Sequence, residues 1–320
     1  MIRVGLIGAG TMGSYHARVV ASSERAILSA VIDQRPTVGQ AVAQRFGSVW
    51  QPSIDSFEGL DAVIVAASTE AHYELAVAAL GSGTPLLVEK PVADSLMRTR
   101  EIVELAERNG IPIVCGLLER FNPAIQTAKL LVDSPVHVTS TRHSPYAPRI
   151  RTGVAWDLLI HDVDLAIGIF GEAPTTTTGA LGNFHPDSDA LAEDVATAIL
   201  TFGHGQVAQL SASRIGQRKV RTMTVHEIDR LIEIDLLRRD VTVYRHVFGD
   251  AAEPDGRGYR QQTTIEIPEI TVSREPLAAQ FDHFLDLIDG VTDADAERKM
   301  ILPAHAAIAS LLSSARRQAR

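Results

Sequence analysis

Three groups of residues in this chain have types and spacings suited to chemistry. The first is Gly8-Ala9-Gly10-Thr11-Met12-Gly13, directly after a short apolar run and at the start of a helical pattern. Gly8 permits a tight turn, Gly10 lets a pyrophosphate approach the backbone, and Gly13 allows close packing of helix on strand. The helix N-terminus, with Thr11 and Met12 in its first turn, offers N–H groups and a positive dipole to phosphates. Small-residue turns join many strands to helices, so the loop alone is a weak signal, and a turn without a ligand is the plain alternative. Asp33 strengthens it: the acid ends the second apolar run 20 residues beyond Gly13, where a ribose-binding carboxylate belongs. That carboxylate can accept from a ribose 2′-hydroxyl and repels a 2′-phosphate, which favours NAD over NADP. Arg35 is the counter-signal, because a guanidinium there can bind the phosphate.

The second group is Val88-Glu89-Lys90-Pro91, at the carboxyl end of another apolar run. Ligands of open α/β sheets gather at such ends. A lysine delivered there can polarise a carbonyl oxygen or exchange a proton with an alcohol; a solvated loop lysine is the alternative. The third group is Trp156-Asp157-Leu158-Leu159-Ile160-His161-Asp162-Val163-Asp164. On an α-helix Asp157 and His161, at i and i+4, share a face. A partly buried Asp–His pair is an acid/base unit, since the carboxylate orients the imidazole and raises its basicity. The alternative is a helix N-terminal acid with a core histidine. A metal site through His161, Asp162 and Asp164 lacks further ligands, and no metal is expected.

The elements that must position these groups change character along the chain. Before residue 118, β-rich runs at 3–7, 27–32, 62–66, 86–88 and 113–115 alternate with helical patterns at 12–22, 38–46, 71–80 and 95–108. Such alternation means a parallel sheet covered by helices. Beyond residue 120, helices at 123–132 and 155–170 accompany strand-like runs at 136–142, 175–181, 195–202, 207–213, 220–226, 231–236, 241–246 and 263–267. Successive strands with intervening turn signals imply a largely antiparallel sheet. Helices are expected at 277–289 and 293–317, and an exposed loop at 250–258. The expected architecture is an α/β Rossmann domain at 1–118 followed by an α+β domain at 119–320. The second carries substrate and oligomer contacts, and its terminal helix is free to pack back on the first.

Composition narrows the class. The net charge is −9, and both parts are mildly acidic, with 9 basic and 12 acidic residues before Glu119 and 21 and 27 from Glu119 onward. Neither part has the basic footprint of a nucleic-acid module. The lone Cys115, in an apolar run, rules out an internal disulfide framework and reads as a buried thiol. No apolar run approaches the roughly 18 residues of a membrane span. The run at 2–7 is too short for a signal segment, and a glycine loop follows it, so a cytoplasmic protein without membrane partners is expected.

Taken in order, the glycine loop, Glu89-Lys90-Pro91, Arg120-Phe121-Asn122-Pro123 and the Asp157/His161 spacing resemble the glucose–fructose oxidoreductase / inositol dehydrogenase / rhizopine-catabolism (Gfo/Idh/MocA) family over nearly the whole chain. The resemblance implies a catalytic group of Lys90, Asp157 and His161, with a cis peptide before Pro91, which X–Pro bonds tolerate. It further implies that Ser68, Glu89 and Lys90 border the cofactor, and that a sugar-like substrate meets Arg120, Asn122, Arg142 and Trp156. The runs Glu119-Arg120-Phe121-Asn122-Pro123-Ala124, Arg142-His143-Ser144-Pro145 and 159–164 are similar to the branch that oxidises nucleotide-linked amino sugars, such as UDP-N-acetylglucosamine 3-dehydrogenases. On that likeness Arg142, Arg149 and Arg151 would face a diphosphate; a solvated strand edge and loop is the alternative.

Two departures stand out: Gly153-Val154-Ala155-Trp156 replaces the family's run of glycines, so that Trp156 narrows the pocket, and Ser68-Thr69-Glu70 replaces Thr-Pro-Pro. The function implied is NAD(P)-dependent hydride transfer from a secondary alcohol of a sugar, cyclitol or nucleotide sugar, in a homodimer or homotetramer. A non-catalytic dinucleotide-binding regulator would need the glycine loop and Asp33 but not Lys90, Asp157 and His161. A hydrolase or lyase with tightly bound NAD would turn over without net cofactor reduction.

Overall fold

The computed structural model describes residues 1–148, 150–189, 192–251, 258–270 and 274–318. They form two compact units, Met1–Leu118 with Pro276–Ala309, and Glu119–Glu275 with Ser310–Arg320.

In the first unit, β1 (Ile2–Ile7), β2 (Ala26–Ile32), β3 (Val49–Gln51), β4 (Ala62–Val65), β5 (Leu86–Val88) and β6 (Ile113–Cys115) form one parallel sheet in the order β3-β2-β1-β4-β5-β6. The inner strands are continuous apolar runs because helices cover both faces: every residue of β4, β5 and β6 is buried. The helices between them are α1 (Thr11–Ala21), α2 (Pro36–Arg45), α3 (Thr69–Gly81) and α4 (Leu96–Asn109). α4 has legible ends, with the Ser95 side chain accepting from the Arg98 amide and Gly110 closing it at φ 64°. β3 was not foreseen; it is a three-residue edge strand with mostly exposed side chains, too short to carry a period.

The second unit opens on a 3₁₀ turn at Leu118–Phe121 and α5 (Pro123–Leu131), whose N-cap is Asn122. β7 (His137–His143) follows, then a π-helical turn, Ala155–Leu159, that runs into α6 (Ile160–Phe170). The remaining strands are β8 (Thr176–Gly182), β9 (Val195–Thr201), β10 (Val207–Ser213), β11 (Val220–His226), β12 (Arg230–Asp235), β13 (Asp240–Ala251) and β14 (Gly258–Glu266). The sheet order is β14-β13-β12-β11-β7-β10-β9-β8, and among the described pairings only β7–β10 is parallel. One face carries Val138, Ala198, Leu210, Met223 and Ile232, buried beneath α5 and α6. The loop expected at 250–258 is corrected in part: Asp250, Ala251 and Gly258 pair within β13 and β14. Residues 252–257 of that loop lie outside the described residues. Polar stretches such as Arg260-Gln261-Gln262 hide a strand whose pairing comes from its neighbour's ladder.

The helix expected at 293–317 is two helices, α8 (Ala294–Lys299) and α9 (Leu302–Gln318), after α7 (Pro276–Ile288). Pro303 explains the break, because its ring would clash with the carbonyl of Lys299 and it has no N–H to donate. The expected 119–320 domain is thus interrupted, since Pro276–Ala309 packs with the first unit. The driving force is one apolar helix face. Leu277, Phe281, Phe284 and Leu285 of α7 join the core of β1, α1 and β4, and each such burial stabilises by about 1.5–3 kcal/mol.

Candidate cofactor and catalytic site

Gly8 adopts φ 95°, and a Cβ there would stand 2.6 Å from the Ala66 carbonyl carbon and oxygen and the Ala67 nitrogen. A Cβ on Gly13 would stand 1.8 Å from the Gly8 carbonyl oxygen, so α1 can approach the loop only through glycine. Gly10 differs, because nothing lies within 4 Å of its Cβ position. No side chain caps α1 at Gly10, and the first amide to find the loop carbonyl is that of Ser14. The first turn of a helix directs its N–H groups out of the helix end, the usual arrangement for holding a phosphate. A cavity of about 720 Å³ opens here, lined by Gly8, Gly10, Asp33, Arg35, Ser68 and Ala71 among others. The residues present therefore fit a dinucleotide: open space at Gly10 for the pyrophosphate and a carboxylate at Asp33 for a ribose.

Asp33 is buried, and its Oδ2 accepts from the Ala9 amide at 2.8 Å. The Arg35 guanidinium grips the same carboxylate, Nε to Oδ1 at 3.0 Å and Nη2 to Oδ2 at 2.9 Å. This grip and the Ala9 amide outweigh burial and hold the Asp33 carboxyl at about 2. Arg35 is therefore tied to the acid that repels a 2′-phosphate. Titration of both cofactors against the purified protein is expected to show NAD bound markedly better than NADP, and Asp33→Ser should narrow the gap by freeing Arg35. NADP binding as tight as NAD in the native protein would give Arg35 control of the site.

Glu89 does not line this cavity. It is buried, and the Nε2 of His16 on α1 donates to its Oε1 at 2.8 Å. Burial pushes its carboxyl up, but His16 and then Lys90 outweigh that and hold it below the usual range. Lys90 is half-buried, and its peptide bond to Pro91 is cis. Ser68, at the N-cap of α3, does line the cavity. His72 is buried against backbone carbonyls rather than open to the cavity.

In the second unit, Asp157 and His161 do not lie on one uniform α-helix. Asp157 belongs to the π-helical turn and His161 to the first turn of α6, so the pair straddles a change of helical period. Such π turns recur at functional sites. Trp156, beside Asp157 in the turn, is half-buried. Sequence reasoning missed Arg214, which follows β10, is buried, and donates from Nη2 to Asp157 Oδ2 at 2.6 Å and from Nη1 to the Thr152 carbonyl at 2.5 Å. Its only sequence signal was an arginine at a strand end.

Three of the expected substrate contacts, Arg120, Arg142 and Asn122, are buried, and each bonds other protein groups. Arg120 forms a two-pronged pair with Asp164, at 2.6 and 2.5 Å. Arg142, 2% exposed, bonds Asp162 from Nε at 2.8 Å and Nη2 at 3.0 Å, and Glu119 from Nη1 at 2.8 Å. Asn122 caps α5 through the Ala124 amide and donates to Glu119 and to the Leu236 carbonyl, each at 3.1 Å. A buried guanidinium is stable only when carboxylates satisfy its fork, and these arginines brace α6 through Asp162 and Asp164. Of the other two arginines read as facing a diphosphate, Arg149 lies outside the described residues and Arg151 is exposed.

Among the described residues no group of three or more His, Cys, Asp or Glu is arranged to hold a metal ion, and no helix is long and apolar enough to cross a membrane. The family model for the oxidoreductase family with an NAD-binding Rossmann fold matches residues 2–116, and that for the GFO/IDH/MocA C-terminal domain matches 127–227. UDP-N-acetylglucosamine 3-dehydrogenase from Acidithiobacillus ferrooxidans is 29% identical over 90% of this chain and 88% of its own length. A solved structure of that enzyme superposes with a TM-score of 0.85 at 26% identity, covering 98% of this chain and 97% of the other. The scyllo-inositol 2-dehydrogenase (NAD(+)) of Bacillus subtilis is 30% identical over 67% of each chain. The chain belongs to the GFO/IDH/MocA family of oxidoreductases, and its glycine loop and Asp33 lie in that family's NAD-binding Rossmann domain.

Proposed function

We propose that the chain oxidises a secondary hydroxyl of a nucleotide-linked amino sugar, within the wider class of sugar and cyclitol dehydrogenations. The observation that carries this reading is the length of the likeness to UDP-N-acetylglucosamine 3-dehydrogenase, 90% of this chain against 67% for the inositol enzyme. NAD, bound at the glycine loop, supplies the hydride acceptor. Lys90, at the carboxyl end of β5, stabilises the developing alkoxide, and His161 takes the hydroxyl proton. Lys90 and His161 can exchange these roles, since both transfer protons. Asp157 orients its partner, and the Arg214 guanidinium holds its carboxylate in place. Ile199 and Ile265 are exposed on the sheet face opposite the buried one, and a homodimer or homotetramer would cover them.

With NAD present, UDP-N-acetylglucosamine is expected to raise the melting temperature through binding linkage. The same panel, extended to other nucleotide sugars, free sugars and cyclitols, is then read for reduced cofactor by absorbance. A shift from free inositol or glucose, with none from nucleotide sugars, would sink the nucleotide-sugar reading.

A further inference from the structure

Between the end of β5 at Val88 and the start of α4 at Leu96, the chain is neither strand nor helix. Backbone groups there have no ladder to join and need other partners. Three buried histidines of the first unit supply bonds to this stretch. His16 of α1, fully buried, donates to Glu89 at 2.8 Å. His72 of α3, 1% exposed, sets Nδ1 2.9 Å from the Pro91 carbonyl oxygen and Nε2 3.2 Å from that of Ala67. His305 of α9, fully buried, accepts at Nε2 from the Val92 amide at 3.2 Å, and its Nδ1 lies 2.7 Å from the Ile301 carbonyl oxygen. Glu89, Pro91 and Val92 are each fixed by a ring from a different helix, and Lys90 sits among them.

An apolar side chain would fill each of these places without the cost of burying a polar ring. What the histidines add is direction, because a hydrogen bond specifies where its partner lies and a methyl contact does not. A reactive amine on an irregular segment has to be held within about 0.5 Å to be productive. We propose that His16, His72 and His305 are positioning residues for Lys90, locking the segment that carries it. The functional consequence rests on Lys90 being catalytic; the positioning itself is read without turnover.

The sequence contains only the lysines Lys90, Lys129, Lys219 and Lys299. Lysine labelled with ¹³C at Cε therefore gives few resonances, and Lys90→Arg identifies that of Lys90. His72→Leu and His305→Leu are expected to shift or broaden the Lys90 resonance and leave the other lysines in place. His72→Asn keeps a donor at the Nδ1 position, and His305→Gln keeps an acceptor at the Nε2 position; both should restore the native signal. If leucine unfolds the protein, His72→Gln and His305→Asn, with their amides at the wrong position, take its place in the comparison. With UDP-N-acetylglucosamine and NAD, the displaced variants should lose about tenfold to a hundredfold in kcat, the scale of a misplacement of about 1 Å, and less than about threefold in NAD affinity. A Lys90 resonance unmoved in both displaced variants, or equal shifts at every lysine, overturns the positioning. Undiminished turnover in Lys90→Ala would instead remove the catalytic reading and leave the spectral result intact.

Discussion

Alanine at Lys90 or His161 is expected to lower turnover by two or more orders of magnitude, on the order of 3 kcal/mol of lost barrier reduction. The expectation follows from their proposed work on the reacting hydroxyl, which a truncated side chain cannot perform. Interactions made mainly in the transition state affect kcat more than ground-state binding. NAD affinity should therefore change little, because the cavity read as the dinucleotide site is lined by Gly8, Gly10 and Asp33 among others, and not by Lys90 or His161. Asp157→Asn should be intermediate, since it keeps a polar group opposite Arg214 but loses the carboxylate. Removing the proton acceptor should also take one limb from the pH–rate profile. Near-normal turnover in both alanine variants, with the fold intact, would remove the catalytic assignment.

Arg142→Ala is expected to destabilise the protein by about 3–5 kcal/mol, the usual cost of stripping one partner from a buried ion pair. The guanidinium bridges Glu119 and Asp162, both of them buried carboxylates. A urea midpoint lowered at unchanged slope would show this directly. The pH dependence identifies the acid involved. In the native protein burial pushes the Glu119 carboxyl up, but Arg142, then Arg221 and Asn122, hold it below its ordinary value. Its contribution is thus present above the unfolded carboxyl range and is lost as pH falls through the lowered value. Without Arg142, burial prevails and the folded value rises, so the variant carries a penalty at neutral pH that fades as Glu119 protonates. The gap between native and variant should narrow on acidification, and Glu119→Gln in the variant should recover part of the loss. A gap independent of pH would place the strain on another group.

The arginines show why part of the site was not legible. Arg142 and Arg120 stood in runs that resembled substrate contacts, and nothing local marked them as buried. Their partners lie far along the chain: Asp162 is 20 residues from Arg142, and Asp164 is 44 from Arg120. Arg214 was passed over for the same reason, its partner Asp157 being 57 residues away. Ion pairing at such range depends on strand register and helix docking, neither of which has a local period to read.

What the sequence determined by itself was whatever depends on neighbouring residues. The glycine loop is legible because only glycine tolerates the Gly8 turn and the Gly8–Gly13 approach. The alternation of strands and helices marks the parallel sheet, because burial on both faces demands unbroken apolar runs. Tertiary structure alone decided the rest. It interrupted the second domain by docking α7 on the first unit through Phe281 and Phe284, and it set Asp157 in a π turn instead of an α-helix. It also brought His16, His72 and His305 from three helices to the three residues Glu89, Pro91 and Val92 around Lys90. The physical reason is common to all of these: burial and long-range hydrogen bonding are fixed by which surfaces meet, and a side chain's type does not say what it will meet.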